Sequence, residues 1–137
     1  MYLYYRRGEI NTGGIRMQNE ISLSNAELRI MEILWSGGAQ KARDISALAS
    51  NKTGWEKNTV YTMLKRLIDK GAVERNEPDF VCTAKVKKSD IRRQQTKNLL
   101  DKLYAGSAKM FLRAFIHEQN LSKQDLEELR HIIDEKE

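Results

Sequence analysis

The stretch GWEKNTVYTMLKRLIDKGAVER, residues 54–75, restricts the fold more than any other part of the chain. Val60, Leu64 and Leu67, with Met63 and Ile68 beside them, recur at three- and four-residue spacing and predict the buried stripe of a helix from about Lys57 to Lys70. Gly71 ends it, because a helix C-terminus calls for the left-handed conformation that glycine adopts freely. The opposite face carries Asn58, Thr62, Lys65 and Asp69, with Tyr61 and Arg66 at its edges. A merely solvated helix face would hold more Glu and fewer uncharged amide and hydroxyl groups. This helix therefore needs a core on one side and a polar partner on the other.

The core is supplied by what precedes it. Ser24-Asn25-Ala26-Glu27 reads as a capping box that starts a helix running to about Trp35, with Leu28, Met31, Leu34 and Trp35 as its apolar stripe and Gly37-Gly38 as its stop. A shorter helix follows from about Ala42 to Asn51, with Ala42, Ile45, Leu48 and Ala49 on one side, and Asn51-Lys52-Thr53-Gly54 breaks it. After Gly71, residues 72–75 and 80–86 read as two strands around the turn Asn76-Glu77-Pro78-Asp79, where the fixed φ of Pro78 fits and its missing amide does no harm. Trp55, at the entry to the third helix, reads as a packing residue that sets the angle of that helix. Three helices and a hairpin, in that order, predict a mainly α fold: a winged helix-turn-helix over residues 21–88.

From Lys88 onward the pattern is helical again, over about Ser89–Tyr104, Ser107–Glu118 and Lys123–Lys136. Each segment has an apolar patch: Leu99, Leu100, Leu103 and Tyr104; then Met110, Phe111, Leu112, Phe115 and Ile116; then Leu126, Leu129, Ile132 and Ile133. Three short helices of this character cannot all bury themselves alone, and a second copy of the chain is the simplest cover. Residues 89–137 are therefore expected to form a helical dimerisation domain, with Leu112, Phe115, Ile116, Leu129 and Ile133 supplying the contact.

Charge divides the chain in the same way. Between residues 41 and 71 seven basic residues face three acidic ones, and between 85 and 97 six face one, whereas residues 118–137 hold seven acids against three bases. A basic front and an acidic tail point to a polyanion bound by the front alone. The major groove of B-DNA admits one helix and displays donors, acceptors and thymine methyls, which asparagine, threonine and tyrosine can read while lysine and arginine hold phosphates. The candidate DNA-binding residues are Lys57, Asn58, Thr59, Tyr61, Thr62, Lys65 and Arg66. A winged-helix module that docks its third helix on protein is the alternative, and salt dependence separates the two, since phosphate binding releases condensed counterions.

The segments ISLSNAELRIMEILW, ARDISAL, GWEKNTVYTMLKRLIDKGAVER, LLDKLYAGSAKMFLRAF and LSKQDLEELRHIID resemble the penicillinase-repressor family, which includes BlaI, MecI and the copper-responsive CopY, over about Ile21 to Asp134. The resemblance implies a dimeric bacterial repressor whose winged helix binds palindromic operators on double-stranded DNA and whose C-terminal helices dimerise. It also implies, as a partner, a membrane sensor-protease of the kind that triggers repressor cleavage in the β-lactam branch, with Ala114-Phe115 at the place of the cleaved bond. Four features depart from the family pattern. The wing tip is the acidic Asn76-Glu77-Pro78-Asp79 instead of a Gly/Arg/Lys-rich turn; Cys82 stands where many members have tyrosine; the paired Cys-x-Cys motifs of the copper-responsive branch are absent; and Ala114 replaces the asparagine before the cleaved bond.

Enzymatic function finds no constellation. His117, His131 and Cys82 lack metal-ligand spacing, and there is no Gly-rich phosphate loop or nucleophile elbow, so no catalytic residue, metal or cofactor is expected. A single cysteine and the lack of any apolar run near 20 residues predict a soluble cytoplasmic protein with no membrane insertion. Residues 1–20 are expected to be an extension. Gly13-Gly14 can be encoded by a ribosome-binding sequence shortly before Met17, so that residues 1–16 are dispensable; the alternative is a basic arm that uses Arg6, Arg7 and Arg16 on DNA.

Overall fold

A computed structural model describes residues 20–136 of the chain. The expectations for the N-terminal extension, including the basic arm, lie outside the described residues. Contacts along the chain divide it into two compact units, one ending at Gln94 and the other beginning at Gln95.

The first unit is built on three helices, α1 (Asn25–Gly37), α2 (Ala42–Thr53) and α3 (Lys57–Asp69), and three strands, β1 (Gln40–Lys41), β2 (Val73–Asn76) and β3 (Val81–Ala84). The capping box that starts α1 is formed in full: Ser24 Oγ accepts from the Glu27 amide at 3.1 Å, and Glu27 Oε1 accepts from the Ser24 amide at 2.8 Å. Gly54 closes α2 at φ 80° and Gly71 follows α3 at φ 84°, both in the left-handed region where a side chain would be strained. Ile30, Met31, Leu34, Ile45, Val60, Leu64 and Leu67 form the centre of the core, joined by Val73 and Cys82 from the sheet.

The strands form an antiparallel sheet in the order β1-β3-β2, with Gln40 and Arg75 on either side of Cys82 in register. The first strand, Gln40–Lys41, has no signal in the sequence. Two residues of the type Gln-Lys carry no alternation and no β-branched side chain, and only the edge offered by β3 makes them a strand. Expected strands at 72–75 and 80–86 are observed at Val73–Asn76 and Val81–Ala84. Phe80, at φ 53°, cannot continue β3 backwards, and Val86 instead offers its carbonyl to the Trp35 indole N–H at 2.9 Å.

Two apolar stripes are corrected. In α1, Leu28 and Trp35 sit at the margin of the core while Ile30 and Ile33 are buried, because α2, α3 and β3 all pack on this helix and widen its buried arc beyond a single stripe. In α2, Leu48 is 43% exposed; the buried arc centres on Ala42, Ile45, Ser46 and Ala49, and Leu48 falls just outside it. Burial of Cys82 pushes its thiol up from the usual range, opposed by the nearby Arg75 guanidinium, as fits a small packed residue.

A fourth helix, α4 (Lys88–Leu103), carries the chain from the first unit into the second. The expected boundary at residue 88 precedes Ile91, which is buried in the core of the first unit, and Gln94, whose side-chain amide donates to the Ile21 carbonyl at 3.2 Å. Beyond Gln94 lie α5 (Ala108–Glu118) and α6 (Lys123–Glu135). Ser107 caps α5 by accepting from the Met110 amide, and Ser122 with Asp125 forms a second capping box at α6. Tyr104, Phe111 and Phe115 make a short aromatic row with centroids 5.3 and 5.5 Å apart, yet neither α5 nor α6 contains a buried residue.

Candidate nucleic-acid interface

Helix α3 buries Val60, Leu64 and Leu67 completely, and this fixes which side faces outward. Lys57, Asn58, Thr59, Thr62, Lys65 and Arg66 are all exposed. Both ends of the helix are held. At its entry, Trp55 is half-buried against the core, its carbonyl accepting from Ser50 Oγ at 2.6 Å and its amide donating to Thr53 Oγ1 at 3.0 Å, in agreement with a packing role. Just past its exit, the Lys70 ammonium donates to the buried Glu27 carboxylate at 2.6 Å and to the Ser22 carbonyl at 2.7 Å. This charge-assisted bond ties the end of α3 to the start of α1, and removing the cation would leave a carboxylate buried without it.

The exposed side chains differ in what they can offer. Thr62 Oγ1 donates to the Asn58 carbonyl at 2.9 Å, so its proton is engaged within the helix and its methyl group and oxygen lone pairs remain for a partner. The Asn58 amide is exposed and keeps both donor and acceptor. Tyr61 is not a freely presented residue: it is half-buried, its ring meets Phe80 edge-on with centroids 5.8 Å apart, and the Lys57 ammonium lies 5.7 Å from its centroid. Phe80 in turn carries the Arg75 guanidinium over its face at 3.7 Å.

In the sequence, Phe80 and Arg75 carry no mark beyond their places in the two expected strands. The only signal was an aromatic residue directly after a proline turn, which does not say what the ring will meet. The acids of the turn are also partnered. Arg75 pairs with Glu77, and Lys41 lies 3.9 Å from Asp79, so basic groups lie beside both carboxylates of the wing tip. These pairs are exposed and contribute little stability, but they set the local charge near zero.

In the second unit, the five residues proposed from sequence for dimer contact are all exposed: Leu112 49%, Phe115 43%, Ile116 37%, Leu129 36% and Ile133 63%. Ala114 is half-buried, and the Ala114–Phe115 bond lies inside α5. Among the described residues, no helix is long and apolar enough to cross a membrane, and no three His, Cys, Asp or Glu side chains are grouped to hold a metal ion.

Residues 23–135 match the family model described as "Penicillinase repressor". This chain belongs to the penicillinase repressor family. The methicillin resistance regulatory protein MecI of Mammaliicoccus sciuri is 30% identical over 116 residues, covering 83% of this chain and 94% of the relative. The penicillinase repressor of Bacillus licheniformis is 29% identical over 115 residues, covering 82% and 90%. The solved DNA-binding domain of the repressor BlaI is similar over 50% of this chain and 85% of its own length, with 33% identity and a TM-score of 0.47. Family membership and the observed order of three helices, strand, turn and strand agree on a winged helix-turn-helix followed by further helices.

Proposed function

We propose that this chain is a homodimeric transcriptional repressor that performs no chemistry and acts by occupying a palindromic operator. The observation that carries the reading is the outward face of α3, where exposed Asn58 and Thr62 stand among Lys57, Lys65 and Arg66 while both ends of the helix are fastened. Asn58 and Thr62 would address base edges, and the cations would address phosphates. Each palindrome half-site would receive one α3. The exposed apolar residues of α5 and α6 are the surface through which a second copy would join, since a water-exposed run of Leu112, Phe115, Ile116, Leu129 and Ile133 is costly in a lone chain. Two linked heads bind a palindrome far more tightly than one, because the second binds at high effective concentration.

Release of DNA follows from any event that separates the heads. A membrane sensor-protease that leads to a cut at Ala114–Phe115 would do so, and because this bond lies within α5, the helix would have to unwind locally before a protease could hold it extended.

Titration of the full chain against a palindromic duplex selected from a random pool, and against a scrambled duplex, tests the reading. Asn58→Ala and Thr62→Ala should each reduce discrimination by about 1–3 kcal/mol, whereas Lys65→Ala should weaken both duplexes alike and lower the salt slope by about one. Binding without sequence preference, or without salt dependence, would favour a protein-docking module instead.

A further inference from the structure

Three parts of the first unit meet at Phe80. It ends the turn between β2 and β3 in the left-handed region, at φ 53°, where a bulky residue is strained. Its amide donates to the Pro78 carbonyl at 2.6 Å, and its carbonyl accepts at 2.9 Å from the amide of Ala42, the first residue of α2. Its ring is covered on a face by Arg75 and meets the ring of Tyr61 at an interplanar angle of 82°. Strain of this kind persists where the surroundings over-determine it, and it gathers at working sites.

We propose that Phe80 is a positioning residue for sequence discrimination: the wing acts on DNA through Tyr61, by fixing the direction of its phenol, and not by gripping phosphate. The proposal rests on the reading that α3 faces DNA. The Phe80 ring lies edge-to-face against Tyr61 with centroids 5.8 Å apart, and this neighbour limits the arc through which the Tyr61 ring can turn; the exposed Lys57 ammonium, 5.7 Å from the centroid, stays available for phosphate. A phenol held in one direction discriminates between base edges, whereas one that swings averages over them. The wing charges agree with this division of labour, because Arg75 and Lys41 lie beside Glu77 and Asp79 and leave the tip no net positive charge for phosphate.

The test uses the full chain with Phe80→Gly, Phe80→Leu and Phe80→Tyr, each also in a Tyr61→Phe background. Glycine removes the ring and relieves the left-handed backbone, which offsets part of the packing lost with the ring, and thermal melting checks that the fold is kept. The ratio of affinities for the selected palindrome and the scrambled duplex is the readout. Phe80→Gly and Phe80→Leu should lower this ratio about three- to tenfold with unchanged affinity for the scrambled duplex, and Phe80→Tyr should preserve it. In the Tyr61→Phe background the effect should vanish. An unchanged ratio in Phe80→Gly, an equal loss on both duplexes, or the same loss without the Tyr61 hydroxyl would each overturn the proposal. A parent chain that shows no discrimination at all would instead overturn the DNA-reading function, and this inference with it.

Discussion

Helix α3 and helix α5 have apolar stripes of comparable regularity and opposite surroundings. Val60, Leu64 and Leu67 have no measurable exposure, whereas Leu112 and Phe115 are 49% and 43% exposed. Helix periodicity determines which face seeks burial; what covers that face depends on elements distant in sequence. In the first unit α1, α2 and the sheet converge on α3 and close the core within one chain. In the second unit, α5 and α6 remain uncovered, and the proposed second copy is the matching surface.

That contrast can be broken at several points. The largest effect is expected from Leu112→Asp combined with Phe115→Asp, which places charge on the apolar face of α5. Sedimentation should show monomers, the melting of the first unit should be unchanged, and affinity for the palindrome should fall about 10²–10⁴-fold. A monomeric double variant that held the palindrome as tightly as the parent would mean that α5 does not link the heads.

Leu64→Ala should cost about 2–5 kcal/mol by opening a cavity in a closed core, at any protein concentration. Leu129→Ala in α6 should instead cost an amount that varies with protein concentration, because its burial would depend on association. Denaturation at two concentrations separates the pair, and concentration-independent loss at both sites would remove the distinction between the units.

A smaller effect is expected at Lys70→Ala. Glu27 would keep its bond from the Ser24 amide but lose its cation while still buried, at about 1–3 kcal/mol. Adding Glu27→Gln should recover part of that loss in chemical denaturation; no recovery would mean that Lys70 acts through the Ser22 carbonyl.

The smallest effects compare the two capping boxes. Ser24→Ala and Ser122→Ala should each cost something in the range of about 0.5–2 kcal/mol, with Ser24 at the upper end because its partner Glu27 is buried and Ser122 at the lower end because Asp125 is exposed. Equal losses would show that cap strength is independent of the packing around it.

Much of the first unit was legible because its signals are local. Ser24 with Glu27, the Val60, Leu64 and Leu67 stripe, Gly54, Gly71 and the Pro78 turn each act within a few residues, so helix identity, helix ends and the hairpin could be read from spacing. The polar face of α3 was legible for the same reason: once the buried side is known, Asn58, Thr62 and Lys65 must point the other way. Leu48 and Ile33 depart from the expected stripes because periodicity gives a stripe a centre but no width, and the width depends on how many neighbours pack on the helix.

By itself, then, the sequence determined the kinds of element, their order, the outward residues of α3 and the family to which the chain belongs. Only the tertiary structure decided that Gln40 and Lys41 form a strand, that Lys70 reaches the buried Glu27 across 43 residues, and that the Phe80 ring meets Tyr61 across 19. The reason is physical. Propensity, capping and periodicity depend on neighbours in the chain, whereas strand edges, buried ion pairs and ring contacts depend on which surfaces are brought together after the helices have packed.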